Sequence, residues 1–362
     1  MEKKRLAVCL VSMLSFSTWV TTGAEAQDIA TKAFDLRMTG QLDEAMAILG
    51  KAVSKNPNNA SVQYELARSY LHAGLGNPRK MADMLTKSHD SIEKAANSAP
   101  DDIACHMFSG HVAFMRGYLS LMTHGDKLAT KAHFQKACEG FESAVRLKPD
   151  YKQAMLYLVE LYGELPEGMV QNKALAQKYT SRLEGIDTVF AAKAKAILSS
   201  KDTSFWKNVL KRNPANADVL EELGKAYLKD NNIENAVSCF EKAVESNPQK
   251  SYLFLDLSIY HTFSAMRARR DQALMKKHAT SGDAAVTRYL DSKPIQPMQA
   301  YALGVQSKYQ SHLGHKEQGK ALFDKAKTLD PYFSKATGCP IPDLFIPPGT
   351  ISQAHRYLAR PY

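Results

Sequence analysis

One stretch of this chain, Ala217 to Lys250, spaces its small and apolar residues so regularly that few folds accommodate it. Counting Ala217 as one, Leu223 and Gly224 fall at seven and eight, and Tyr227 at eleven. Ala236 falls at twenty, Phe240 at twenty-four, Ala243 at twenty-seven and Pro248 at thirty-two. The spacing predicts two helices, about 217–229 and 233–246, joined by a turn at Asp230-Asn231-Asn232. Gly224 and Ala236 are small enough for two antiparallel helices to pack closely. Leu223, Tyr227 and Phe240 fill the space between them. Asn247-Pro248 stops the second helix, because proline lacks the N–H that the ladder needs.

The 34-residue pattern resembles the tetratricopeptide-repeat (TPR) family position by position. The frame recurs along the chain. Ala45, Leu49, Ala52 and Pro57 form the second half of an earlier unit, with Gly40 at its turn. Leu66-Ala67, Tyr70 and Gly74 begin the next, which ends at Ile92, Ala95 and Pro100. Ala137, Phe141, Ala144 and Pro149 end a third, and Met155, Leu158, Val159 and Tyr162 open a fourth. Trp206, Val209 and Pro214 close a shorter fifth; Phe254, Leu257 and Tyr260 open a seventh; Phe323, Ala326 and Pro331 close the eighth. The resemblance covers about residues 27–335 and implies an all-α, right-handed TPR-type solenoid of antiparallel helix pairs. Extra residues fall at about 75–79, 116–131 and 261–297. Such insertions become loops or lengthened helices, often on one face of a solenoid.

The two ends read differently. Lys3, Lys4 and Arg5 precede a short apolar run with Leu10, Val11, Leu14, Phe16, Trp19 and Val20, then Ala24-Glu25-Ala26. This is the layout of a signal peptide, residues 1–26, and it predicts a periplasmic or secreted chain. Residues 27–335 form the repeat domain. Residues 336–362 form a non-repeat tail, in which Pro340, Pro342, Pro347 and Pro348 exclude regular helix. The formal charge is +10; residues 1–26 hold three basic and two acidic residues, which leaves +9 on the rest. That balance favours acidic partners or anionic surfaces. The basic run Arg267, Arg269, Arg270, Lys276, Lys277 and His278 is the densest candidate contact, or else the solvated face of a helix. No nucleic-acid motif and no later membrane-spanning segment is present in the sequence.

Catalytic signatures are missing. There is no Gly-x-Ser-x-Gly, no phosphate-cradling glycine loop, no His-Glu-x-x-His and no Cys-x-x-Cys. No enzymatic activity, cofactor or metal is expected. His106, His111, His124 and His133 cluster in the third unit, but His106 and His111 are five apart and do not share a helical face. Cys105, Cys138, Cys239 and Cys339 match no disulfide framework; a Cys105–Cys138 bridge is conceivable, and small packing residues are the plainer reading.

In the TPR family the first helix of each pair lines the concave surface, at positions two, five, nine and twelve. Carried onto this chain, the resemblance gives a groove of Tyr64, Arg68, Leu71, Met107, His111, Phe114, Leu156, Glu160, Glu221, Lys225, Leu255 and Ile259. An apolar and aromatic groove suits a peptide or helix of a protein partner. The alternative occupant is the protein's own extra helices or tail. The expected function is an exported scaffold or adaptor in the cell envelope; the second reading is a ligand-binding accessory subunit of a solute transporter.

Overall fold

The computed structural model describes residues 26–199 and 202–336. The expected signal segment and the proline-rich tail with Cys339 lie outside the described residues, apart from Ala26 and Ala336 at their borders. The described residues are helical throughout, with no strand among them. Antiparallel pairs follow one another: α1 (26–38) with α2 (Leu42–Lys55), α3 (Ala60–Leu75) with α4 (Met81–Ser98), and α5 (Ile103–Met122) with α6 (Lys127–Leu147). Next come α7 (Lys152–Glu164) with α8 (Lys173–Glu184), and the short α9 (Thr188–Leu198) and α10 (Thr203–Arg212). The last pairs are α11 (Ala217–Lys229) with α12 (Ile233–Ser246), α13 (Tyr252–Arg267) with α14 (Gln272–Asp291), and α15 (Gln296–His312) with α16 (Lys316–Leu329). A final turn, α17 (Phe333–Ala336), ends the described chain.

Local chemistry sets these boundaries. Asn59, Asp126, Asn172, Asn232 and Asp271 each cap the next helix by accepting a backbone N–H within its first turn. Four turns within pairs use one device. Gly40, His124, Asn231 and Gly314 adopt positive φ, and the next N–H bonds back to the carbonyl five residues earlier, at 2.7–2.8 Å. Gly224 lets α11 and α12 touch, since a Cβ there would lie 2.4 Å from the Phe240 ring. Gly110 repeats that contact with Phe141 between α5 and α6. Two of the expected insertions are absorbed as lengthened helices. The pair α5–α6 has 20 and 21 residues and α13–α14 has 16 and 20, against 13 and 14 in α11–α12.

The ends of the array meet. In an open solenoid each repeat touches only its neighbours. Here one hydrophobic core joins Ala67, Leu71 and Leu75 of α3 with Tyr252, Leu255, Tyr289, Tyr301 and Phe333 from the last third of the chain. His72 Nε2 and Asp330 Oδ2 are 2.8 Å apart, and both side chains are fully buried. The other oxygen of Asp330 accepts from the backbone of Tyr332 and Phe333, at 2.8 and 2.9 Å, and so fixes the start of α17. Phe333 packs edge-on against the His72 ring at 4.3 Å. Gln296 donates to Thr39 O and Leu329 O, and the Tyr332 hydroxyl donates to Asp43. Gly40, at φ 77°, approaches Leu329 so closely that a Cβ would overlap its carbonyl oxygen.

Burial pushes the His72 imidazole down, outweighing the pull of Asp330. The Asp330 carboxyl is pushed up by burial, but His72 and the two backbone N–H groups outweigh this and hold it below its usual range. The pair is therefore a neutral imidazole donating Nε2–H to a carboxylate, consistent with a buried Nδ1 that has no partner among the described residues. Asp330→Ala should lower unfolding stability by about 2–4 kcal/mol in urea titration, because it strands the imidazole N–H and frees α17. Both groups bind protons less readily folded than unfolded, so stability is present above about pH 6.5 and falls as the pH drops below that value. His72→Gln, which keeps a donor without a titration, should flatten that acid limb between about pH 6.5 and 5.

Candidate functional site

The twelve positions expected in the groove lie on α3, α5, α7, α11 and α13, and their surroundings fall into three zones. The first is built of arginines and aromatics. Arg37 Nε donates to Glu65 at 2.7 Å, Arg68 lies 3.3 Å from the same carboxylate, and all three are buried. The Arg68 guanidinium sits over the rings of Phe34 and Tyr64 at 5.1 and 5.4 Å. Burial pushes the Tyr64 phenol up to about 12. This zone sets two cations around the Glu65 carboxylate, and ring faces add to the attraction.

The second zone is aromatic. His111 meets Phe141 and Tyr157 edge-on at 4.9 and 4.6 Å, and Phe141 stacks on Tyr157 at 4.9 Å. Phe114 and Tyr118, half-buried, stack at 6.2 Å. Beside them on α7, Glu160 is partly open to solvent, although protein surrounds it on most sides. Burial, and then repulsion from Glu164 one turn on, pushes its carboxyl up to about 7.

The third zone is ionic. Lys250 donates to Asp218 at 2.8 Å and to Glu221, while the Tyr252 hydroxyl also donates to Glu221, at 2.9 Å. Lys225 holds the other oxygen of Glu221 at 2.6 Å, and Lys193 reaches Asp218 at 3.1 Å. Burial pushes the Glu221 carboxyl up, but the surrounding lysines outweigh it and hold it well below the usual range. Burial pushes Lys225 down, and Glu221, Glu222 and Asp256 together outweigh that and raise it. These charges satisfy one another, so the zone stiffens the α11–α13 joint and offers little spare charge to a ligand.

Of the twelve positions expected in the groove, Arg68, Leu71, Met107, His111, Glu221 and Leu255 lie in the interior. Tyr64, Phe114, Leu156, Glu160, Lys225 and Ile259 keep part of their surface open. The histidines singled out in the sequence are dispersed. His106 bonds the Pro100 carbonyl, His111 packs among aromatics, His124 forms a turn and His133 lies on α6. Among the described residues no three His, Cys, Asp or Glu side chains come together as a metal site. Cys105, Cys138 and Cys239 are buried free thiols. Burial pushes all three up, Cys138 to about 12, so they are protonated packing groups. No described helix is long and apolar enough to cross a membrane.

The basic run forms the tip between α13 and α14. Arg267, Arg269, Arg270, Lys276 and Lys277 are all exposed, and none forms an ion pair with a carboxylate among the described residues. Asp271 is turned to capping, accepting from Leu274 N at 3.0 Å. The exposed side chains of Met266 and Leu274, 52% and 42% accessible, share the tip. His261 and His278 face each other below it with Nδ1 atoms 3.1 Å apart. Burial and His278 hold His261 down at about 4, so the tip owes its charge to the arginines and lysines.

Glu160 yields a pH test. Its folded value is raised, so the folded chain takes up a proton that the unfolded chain releases at lower pH. Its ionised form therefore costs stability progressively from about pH 4.5 to about 7, and the cost stays constant above that. Glu160→Gln should stabilise the protein at pH 8 by up to about 3 kcal/mol and leave it nearly unchanged at pH 4, as read from urea midpoints across pH.

Two segments match known family profiles. Residues 36–77 and residues 217–250 each match a tetratricopeptide repeat. No curated protein matches the chain. Among solved structures, a TPR protein of Thermus thermophilus is 17% identical with a TM-score of 0.36, over 71% of this chain and 98% of that one. A tetratricopeptide repeat protein of Parabacteroides merdae is 15% identical with a TM-score of 0.36, over 92% of this chain and 99% of that one. YrrB, described as a TPR protein with an unusual peptide-binding site, is 18% identical with a TM-score of 0.27, over 60% of this chain and 83% of its own. This chain carries tetratricopeptide repeats, at 36–77 and 217–250, within an all-α array of antiparallel helix pairs.

Proposed function

We propose that this chain is an exported, non-catalytic adaptor that holds an acidic segment of a partner protein. The observation that carries the reading is the α13–α14 tip, where five exposed cations lack carboxylate partners among the described residues and flank two exposed apolar side chains. Unneutralised surface charge of one sign steers an oppositely charged partner, and apolar side chains beside it give the docked partner something to bury. On the same helix Ile259 is partly open, eight residues or about 12 Å before Arg267. In this reading one extended partner segment covers the tip and Ile259 on the same helix, and Phe114 and Leu156 are the expected groove positions it would reach beyond them. Export is supported by the basic-then-apolar N-terminal sequence that ends at Ala26.

The test is affinity purification of the chain from its native host after mild crosslinking, with captured proteins measured by quantitative mass spectrometry. Replacing Arg269, Arg270 and Lys277 together by Glu should lower capture of the partner by about tenfold or more at about 50 mM salt. The difference should shrink at about 300 mM, where exposed charges are screened. Phe114→Ala with Leu156→Ala should weaken the same partner without changing its salt dependence. A partner held equally by both variants and the native chain overturns the reading.

A further inference from the structure

A recess of about 220 Å³ lies between α4, α5 and α6, well apart from the α13–α14 tip in sequence and in helix pairing. Arg116 and His133 line it, and they are its only ionisable lining residues. The hydroxyl-bearing Thr86, Ser120 and Thr123 add to the polar wall, and Ala82, Leu85 and Leu119 make an apolar one. No carboxylate lines the recess.

The charge balance around it is uneven. Arg116 is half-buried and makes no hydrogen bond or ion pair among the described residues. Burial pushes its guanidinium down, and Asp90 and Glu93 on α4 pull it back only in part. Glu93 is engaged by the Ser109 hydroxyl at 2.5 Å. His133 also lacks a hydrogen-bond partner among the described residues, and burial, Arg116 and His89 all push its imidazole down. His89 faces the same neighbourhood, with a buried Nδ1 that has no partner among the described residues. On α6, Lys136 is held by Glu139 at 2.6 Å and turns its charge to that carboxylate. Asp90 and Glu93 act on Arg116 only through space, with no ion pair among the described residues, so its guanidinium donors stay unused and an anion seated against them would satisfy them.

We infer that this recess binds a small organic carboxylate, its oxygens held by Arg116 and His133 and its short apolar body laid against Leu85 and Leu119. The planar guanidinium fork matches a carboxylate in geometry. The space accommodates a short-chain carboxylate the size of hexanoate. The inference is independent of the adaptor reading, since neither the tip nor the open inner-face residues take part.

The test is isothermal titration calorimetry of the full chain with hexanoate, and with hexanamide and inorganic phosphate as controls. Hexanoate is expected to bind, and hexanamide, which keeps the shape and loses the charge, to bind at least about tenfold more weakly. Arg116→Met should weaken hexanoate by about tenfold or more, with Arg116→Lys between the two. Far-UV circular dichroism and thermal unfolding check that each variant folds. Thr86→Phe, which fills the recess and leaves both basic groups in place, should also abolish binding. The His133 imidazole resonances should shift on hexanoate addition in the native chain and not in Thr86→Phe. Equal hexanoate binding by native chain and Arg116→Met, heat with phosphate alone, or no heat with any probe would each overturn the assignment.

Discussion

The carboxylate of Asp330 is the contact on which the closed arrangement depends. One oxygen organises the first turn of α17, and the other meets His72 of α3, 258 residues away in sequence. Because both side chains are fully buried, neither has water as a substitute partner. The contact makes the second unit and the end of the array neighbours. An open helical array frays from its ends, and each terminal unit draws stability from one side only. Here the α3 residues Leu71 and Leu75 share a core with Tyr252, Tyr289 and Phe333, so opening either end exposes apolar surface belonging to both.

Closure of this kind was not legible in the sequence, and the reason is physical. A repeat pattern reports what a residue does to its near neighbours, and the 217–250 unit was legible for that reason. Leu223, Gly224, Tyr227, Ala236 and Phe240 all act within one helix pair, and the two helices end where the pattern placed them. His72 and Asp330 carry no such local signature. Gly40 was readable as a turn residue, which its positive φ bears out, but nothing local says that Leu329 approaches its α-carbon. The insertion at 116–131 was ambiguous between loop and helix. It contains no proline, and helical chemistry continues through Arg116 to Met122 and resumes at Lys127.

The site divides along the same line. The repeat register selects a helix face, but what covers that face is set by segments far away in sequence. Leu71 and Leu255 sit inside one core, while Phe114, Leu156 and Ile259, chosen by the same rule, keep solvent contact. The basic tip was legible because a run such as Arg267, Arg269 and Arg270 has too much charge to bury unpaired. The α4–α6 recess was not. In sequence Arg116 is the edge of an insertion and His133 one of several scattered histidines, and only three helices packed together give them a common space.

Both surfaces with spare positive charge involve helix pairs that outgrow the regular unit, α5–α6 and α13–α14. Gly110 occupies the eighth position of α5, as Gly224 does of α11, so Arg116 and Ser120 fall beyond the thirteenth residue, where the regular first helix ends. Met266 and Arg267 likewise fall beyond the thirteenth residue of α13. The regular turns bury their apolar faces against neighbouring pairs and satisfy their charges internally, as the Asp218–Glu221–Lys225–Lys250 network does. Added turns extend beyond the positions that the repeat pattern dictates, so their side chains are free of its packing rule. A closed, internally paired scaffold holds such turns in fixed positions, and a ligand or partner that binds them meets a preorganised surface and bears little of the cost of ordering it.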